Sequence, residues 1–203
     1  MVDFCSLSHL KLSAGNGVLY SVIFQNPTNF QERTFLKKVF RKYNTNTVNS
    51  KKSIILKVKF IPLNLNSHSD KTSKVNIHFH NGFIETKRND FSGHIKIKNK
   101  VVQVLLKPNI YTFDSFLRVV SSCFAVSEFS FYLHSTGIIH NEKVYLFSGK
   151  SGSGKSTIAG KFPVNDILSD ELVLVKCLPD SNISAYSTPF WGELGSNRTD
   201  LSG

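Results

Sequence analysis

One stretch decides how the second half of the chain is expected to fold: Gly149-Lys150-Ser151-Gly152-Ser153-Gly154-Lys155-Ser156. It meets the pattern G-x-x-x-x-G-K-[ST] in full. The apolar residues 144–147 precede it directly, and residues 157–161 can continue as a helix that stops before Pro163. A strand, a glycine-rich turn and a helix in this order predict a phosphate-binding loop (P-loop).

Each part of this loop has a physical task in binding a nucleoside triphosphate. Glycines let the backbone approach a phosphate without a Cβ in the way. Successive N–H groups then point at the anion. Lys155 supplies a charge for the β- and γ-phosphates, and Ser156 offers its hydroxyl to Mg²⁺. The predicted nucleotide-binding residues are Gly149, Lys150, Ser151, Gly152, Ser153, Gly154, Lys155, Ser156 and Thr157.

Two neighbouring carboxylates, Asp170 and Glu171, interrupt the apolar residues 167–175. Burying two acids in a strand is costly unless they meet a cation or take part in proton transfer. A carboxylate that completes a Mg²⁺ shell would meet that need. The alternative is a turn between two short strands, with both acids in water.

Charge is spread unevenly along the 203 residues, whose net charge is +11. Residues 1–130 hold 19 Lys and Arg against 7 Asp and Glu, and residues 131–203 hold 6 against 7. A basic front region could attract nucleic acid, a membrane surface or an acidic protein. The other interpretation is a set of lysines that only solvates a surface. The lysines alternate along strands instead of clustering with aromatic residues, so a nucleic-acid partner is not expected.

The sequence also predicts where the chain resides. No apolar run approaches the roughly 18 residues of a transmembrane helix, and residues 1–10 lack the parts of a secretory signal. Cys5, Cys123 and Cys177 form no pair motif and are most simply buried, reduced thiols. We therefore expect a cytoplasmic protein without membrane contact.

Residues 1–125 are expected to form a β-rich basic region with one or two helices. A helix is predicted from Asn29, with Glu32 completing a capping box. Alternating residues predict strands at 53–60, 75–80, 95–97 and 102–106, with a hairpin turn at Asn81-Gly82. The pattern favours an antiparallel meander in which one face is basic and exposed to solvent. A short amphipathic helix should follow, marked by Phe113, Phe116, Leu117 and Val120.

Residues 128–195 resemble the HPr kinase/phosphorylase family, in its branch of small HPr-kinase-like proteins. A histidine precedes the loop strand, and a paired-acid strand follows the loop, in the order and spacing of that family. The resemblance implies an α/β fold (α+β overall) in which residues 126–203 form a phosphoenolpyruvate-carboxykinase-like kinase core. The matching stretches are Leu133-His134-Ser135-Thr136-Gly137-Ile138-Ile139, residues 147–157, residues 168–173 and Ser187-Thr188-Pro189-Phe190-Trp191-Gly192-Glu193.

The resemblance also implies an activity, the transfer of the γ-phosphate of ATP, with Mg²⁺, to a serine of a small protein or peptide. His134 would lie near the transferred phosphate and Lys155 would contact it. Ser156 and Asp170 would hold the metal, and Glu171 would accept the proton of the attacking hydroxyl. Glu171 stands where the family usually has a second Asp. Without the resemblance, His134 is more simply a histidine at a strand end or in a core.

Three functional hypotheses stay open at this point. The first is the serine kinase, the second a nucleotide-binding module without turnover, and the third a nucleic-acid-binding NTPase that uses the basic front region. The family core normally continues beyond residues 190–193, so we expect a core that is incomplete at Gly203. Family members assemble into homo-oligomers, so the resemblance leaves a homo-oligomer and a monomer as alternatives here. Phe190 and Trp191 either line a nucleotide or acceptor pocket or belong to the core.

Overall fold

The computed structural model describes residues 9–13, 18–43, 52–61, 74–179 and 182–192. They form a mixed α/β structure with two sheets and three α-helices. The chain divides into two compact units, residues 1–12 with 17–121 and residues 13–16 with 122–203. The boundary predicted from the sequence, at residue 125, lies close to the last of these division points, which follows Ser121.

The first unit is built on a seven-stranded sheet with the strand order β1-β2-β3-β7-β6-β5-β4. β2, β3 and β7 are parallel, and β7, β6, β5 and β4 form an antiparallel meander. The elements are β1 His9–Ser13, β2 Val18–Phe24, α1 Phe30–Tyr43, β3 Lys52–Phe60, β4 Asn76–His80, β5 Phe83–Arg88, β6 Phe91–Lys96, β7 Val101–Leu106 and α2 Ile110–Ser127.

The predicted meander is correct for β4 to β7 and wrong for β3. β3 pairs in parallel with both of its neighbours, and α1 makes the long connection from β2 that parallel pairing requires. The Asn81-Gly82 turn joins β4 to β5 as predicted. Helix α2 is longer than the predicted amphipathic helix, because it extends to Ser127.

Phenylalanine rings fill the space between the helices and one face of the sheet. The ring of Phe35 in α1 lies 6.1 Å from those of Phe24 in β2 and Phe113 in α2. Phe116 of α2 covers Gly93 in β6, where an added Cβ would lie 2.6 Å from the Phe116 ring. Glycine is therefore required at position 93 by the close approach of the helix.

The cap at the start of helix α1 differs in one hydrogen bond from the predicted capping box. Asn29 Oδ1 accepts the N–H of Glu32 at 2.9 Å, as an N-cap residue should. The Glu32 carboxylate turns back further than predicted, to the N–H of Thr28 at 2.7 Å. Both groups satisfy N–H donors at the helix start, and Glu32 is buried in doing so.

Asp114 ties the two helices of the first unit together. Its Oδ1 accepts hydrogen bonds from Lys42 Nζ at 2.7 Å and from the Tyr43 hydroxyl, both at the end of α1. Its Oδ2 accepts one from Arg118 Nε at 2.6 Å. Burial by itself would raise the pKa of Asp114, but these hydrogen bonds and the two cations outweigh it and hold the pKa below its ordinary value.

We expect Asp114→Asn to lower the free energy of unfolding at neutral pH by about 2 kcal/mol, the contribution of hydrogen bonds to a charged group. Because the folded-state pKa is lowered, this stability is present above the ordinary value of 3.8 and is lost as the pH falls below it. Urea unfolding at neutral pH and below about pH 4 measures both effects. The variant should show a weaker pH dependence than the parent, and an unchanged one would contradict the assignment.

The second unit is built around β8 and has a five-stranded sheet. β9, β10 and β11 all pair with β8 in antiparallel fashion, and β12 pairs with β11. The elements are β8 Ser130–His140, β9 Lys143–Ser148, α3 Lys155–Ala159, a 3₁₀ turn Val164–Asp166, β10 Ile167–Ser169, β11 Leu172–Cys177 and β12 Ile183–Tyr186.

Two of the cysteines can be compared with their predicted state. Both Cys123 and Cys177 carry free thiols, but Cys177 is exposed, which corrects the prediction that it is buried. Burial raises the pKa of the Cys123 thiol. Cys5 lies outside the described residues. Within the described ranges, no helix has both the length and the apolar character needed to cross a membrane.

Candidate functional site

The glycine-rich loop follows the edge strand β9 directly and leads into α3. Gly152 and Gly154 have φ angles of 80° and 86°, in the left-handed region that side chains other than glycine rarely adopt. Gly149 is constrained differently, since an added Cβ there would lie 2.6 Å from Ser153 Oγ. The conformation therefore uses the three glycines of the motif, and it leaves exposed the side chains of Lys150, Ser151, Ser153, Ser156 and Thr157.

Lys155 is the buried residue of the loop, with 9% of its surface exposed. Its ammonium donates hydrogen bonds to the carbonyl oxygens of Gly149 at 2.8 Å and Lys150 at 3.1 Å. The lysine thus draws the start of the loop toward the first turn of α3. An ammonium held by carbonyl groups is exchangeable, because a phosphate offers it stronger, charge-assisted hydrogen bonds.

The strand register brings the loop and His134 to one level of the sheet. Ser148, the last residue of β9, pairs with Ser135 of β8, so Gly149 leaves the strand beside His134. On the other side of β8, His134 pairs with Leu172 of β11. Adjacent strands are about 4.8 Å apart, so the loop start and β11 lie within about 10 Å of each other across His134.

His134 is exposed, and its side chain leaves the sheet on the face that α3 covers. Residues two apart on a strand share a face, and Ile138, which shares that of His134, packs with Ala159 of α3. The interpretation of His134 as a core histidine therefore fails, because its side chain is exposed at the sheet surface. His140 is exposed as well, but it lies at the far end of β8 from the loop.

The two acids lie at an irregularity between β10 and β11. Both strands pair with β8, and the register shifts between Ile167 and Ser169, just before the two acids. Ser169 Oγ holds this bend by accepting the N–H groups of Glu171 and Leu172, each at 3.2 Å. Bulges of this kind redirect side chains and are common next to functional sites. The alternative of two acids in open water fails for Asp170, which is 4% exposed.

Asp170 is held by a segment that returns from β12. Its Oδ1 accepts the N–H of Gly192 at 2.9 Å. A Cβ on Gly192 would lie 2.9 Å from Asp170 Oδ2, so this glycine lets the backbone approach the carboxylate. The neighbouring Trp191 packs against the cluster of Ile138 and Ala159 under α3. Asp170 therefore belongs to the same face of the sheet as the loop helix.

Glu171 is half-buried, and its carbonyl accepts the N–H of Ser135 at 3.0 Å. Glu171 lies in the bend that Ser169 Oγ holds, one residue before Leu172, which pairs with His134. The two acids are thus adjacent in sequence but differ in burial, since Asp170 is buried and Glu171 is half-buried.

Residues 188–190 support the acids in a way that the sequence did not indicate. Thr188 Oγ1 donates to the carbonyl of Leu172 at 2.6 Å and accepts the N–H of Phe190 at 3.2 Å. The Phe190 ring is fully buried and packs edge-on against Tyr132 of β8, with 5.7 Å between the centroids. Of the two open roles for Phe190, the core role is the observed one.

The residues near the loop fit a magnesium ion only in part. Ser156 has an exposed hydroxyl, but Asp170 already accepts a hydrogen bond from Gly192. Among the described residues, no three or more His, Cys, Asp or Glu side chains are grouped to hold a metal ion. Mg²⁺ commonly binds through one or two protein ligands together with phosphates and water. A magnesium ion that arrives with a triphosphate would need only one or two such ligands from the protein.

Neither the family models nor the curated proteins compared with this chain give a match.

Proposed function

We propose that the second unit binds ATP at residues 149–157 and transfers its γ-phosphate to a serine of a small protein or peptide, as HPr kinases do. The observation that supports this most is the combination of the loop with His134 and Asp170. A complete P-loop motif, with its lysine under the loop carbonyls, starts beside an exposed histidine and two strands from a buried acid.

The chain's own residues would divide the work as follows. The loop N–H groups and the Lys155 ammonium would hold the phosphates, once Lys155 exchanges its carbonyl partners for phosphate oxygens. His134, exposed at the level of the loop start, would contact the transferred phosphate. A bound Mg²⁺ would neutralise part of the phosphate charge, with Ser156 and Asp170 as its ligands. The proton of the serine hydroxyl would pass to a carboxylate, for which Glu171 is the family-based choice.

A nucleotide-binding module without turnover is the second candidate, and one contact favours it. The hydrogen bond from Gly192 commits one oxygen of Asp170 to holding the segment that follows β12. A carboxylate used in this way stabilises the unit whether or not a phosphate is transferred. In that case the loop would bind nucleotide, and the acids would have a structural role alone.

Transfer of label from γ-³²P-ATP separates these two functions. With Mg²⁺ and a cell extract or a library of serine peptides as acceptor, the kinase should produce labelled phosphoserine that depends on the acceptor. The same peptides with alanine in place of serine are the matched control and should stay unlabelled. Saturable ATP binding with no labelled acceptor would refute the kinase and leave the binding module.

A further inference from the structure

The face of the seven-stranded sheet opposite α1 and α2 carries a row of polar side chains. Residues that pair across strands share a face, and the pairing of β3, β7, β6, β5 and β4 puts five side chains in one line. We call this surface of β3 to β7 the open face. Its central row consists of Lys57, Gln103, His94, Glu85 and His78.

The open face has an excess of positive charge. Its rows contain the exposed lysines Lys57, Lys59, Lys87 and Lys96. On the described strands β3 to β7, Glu85 is the acid that shares this face, and its Oε2 lies 3.4 Å from His80 Nε2. No ion pair within the described residues neutralises the four ammonium groups, so they are available to an anionic partner.

Aromatic rings stand among these lysines. The His80 ring stacks on Phe83 with 4.5 Å between centroids and an angle of 13°. His94 meets the other side of this group, with its ring 5.5 Å from that of Phe83. His80 and His94 are exposed. Lysines that merely alternate along each strand in the sequence are therefore interleaved with aromatic rings across strands.

We propose that the open face binds single-stranded nucleic acid. The lysines would contact phosphates, and the group of His80, Phe83 and His94 would stack with unpaired bases. The Gln103 amide, in the central row, offers a donor and an acceptor to a base edge. An acidic protein would match the charge but would make no use of stacked rings beside the lysines. A duplex keeps its bases stacked on each other and would leave the rings without a partner.

Binding of fluorescently labelled oligonucleotides to the full chain, without ATP, tests this. By fluorescence anisotropy, oligo(U) RNA or oligo(dT) DNA of about 12 nucleotides should bind, and the two probes show which sugar is preferred. If the four lysines each neutralise a phosphate, the plot of log K against log salt should have a slope of about −3, since each contributes roughly 0.7 for single strands. A duplex of the same sequence should bind at least about fivefold more weakly.

Charge reversal provides the matched control. Lys57→Glu with Lys96→Glu should weaken binding by about tenfold or more, because it removes two phosphate contacts and adds repulsion. Arg33→Glu with Lys38→Glu makes the same change in net charge at exposed positions of α1, on the other side of the sheet. It should weaken binding by no more than about threefold, the effect of net charge alone. Equal losses in the two pairs would overturn the proposed location.

Phe83 tests the stacking separately from the charge. Phe83→Leu keeps an apolar side chain at this half-buried position but removes the ring, and it should weaken binding by about fivefold or more. Phe83→Tyr should bind like the parent. The proposal fails if the leucine variant binds normally, or if duplex or base-free polyphosphate binds as well as the oligonucleotides. It also fails if sedimentation shows a dimer that the Lys57→Glu with Lys96→Glu variant abolishes, since the face would then be an interface between copies.

Discussion

Lys155→Ala is expected to weaken ATP binding by about 100-fold, the loss of two charge-assisted hydrogen bonds worth about 3 kcal/mol in total. The ammonium now holds the carbonyl groups of Gly149 and Lys150, and in the complex it would hold phosphate oxygens. Alanine leaves the loop N–H groups in place, so weak binding should persist. Isothermal titration calorimetry with ATP and Mg²⁺ measures the change.

Lys161 offers the matched control for this variant. It follows α3 closely, is exposed, and carries the same charge as Lys155. Lys161→Ala should bind ATP within about twofold of the parent, as expected for a surface charge at high dielectric. If both variants lost affinity equally, the loop would be attracting ATP by its general charge instead of by a formed site. Full affinity in Lys155→Ala would exclude the P-loop function.

Asp170→Asn is expected to lower phosphate transfer by about 100-fold or more while the unit stays folded. Asparagine keeps a side-chain oxygen that can accept the N–H of Gly192, the bond that Asp170 makes at 2.9 Å. It removes only the negative charge needed to bind a cation or to take a proton. The initial rate of labelling with γ-³²P-ATP and the melting temperature, measured on the same preparation, separate catalysis from stability.

Two other variants sharpen this result. Gly192→Ala should lower the melting temperature, because its Cβ would lie 2.9 Å from Asp170 Oδ2. Glu171→Gln should also lower transfer while leaving ATP binding unchanged, because Glu171 is the proposed proton acceptor. If Glu171→Gln transferred phosphate like the parent while Asp170→Asn did not, the proton acceptor would be reassigned to Asp170. If the unit is a binding module without turnover, neither acid variant would change the affinity for ATP. In that case neither the parent nor the variants would label an acceptor.

Local patterns in the sequence predicted the local structure well. The loop glycines, the cap at Asn29 and the Asn81-Gly82 turn each depend on residues a few positions apart. β3 was correctly predicted as a strand, because alternate residues face the core and the solvent. Its parallel pairing was not predicted, because apolar and polar residues alternate in the same way in parallel and antiparallel strands. The partner strands are also distant in the sequence.

The alternation in β4 was misleading about burial. Ile77 and Phe79 alternate with polar residues as in a half-buried strand, yet they are 42% and 79% exposed. β4 is the last strand of the sheet, and alternation does not reveal whether a strand lies at the edge or the centre. The link from Asp170 to Gly192 was missed for a related reason, because contacts 22 residues apart leave no local pattern.

The clustering of lysines with rings on the open face was missed for the same reason. Read along the chain, Lys57, Phe83 and Lys96 are far apart, and each lysine resembles ordinary strand solvation. They come together only when the register of four strands is known. The sequence-based argument against nucleic acid was therefore based on neighbours along the chain, whereas the relevant neighbours lie across the sheet.

The central position of β8 has a consequence for how the candidate site comes apart. β9, which carries the loop, and the strands that flank Asp170 are all hydrogen-bonded to this one strand. A local opening of β8 would therefore release the loop, His134 and the acid in a single event. The loop, His134 and Asp170 should therefore open at one rate, which is the rate at which β8 opens.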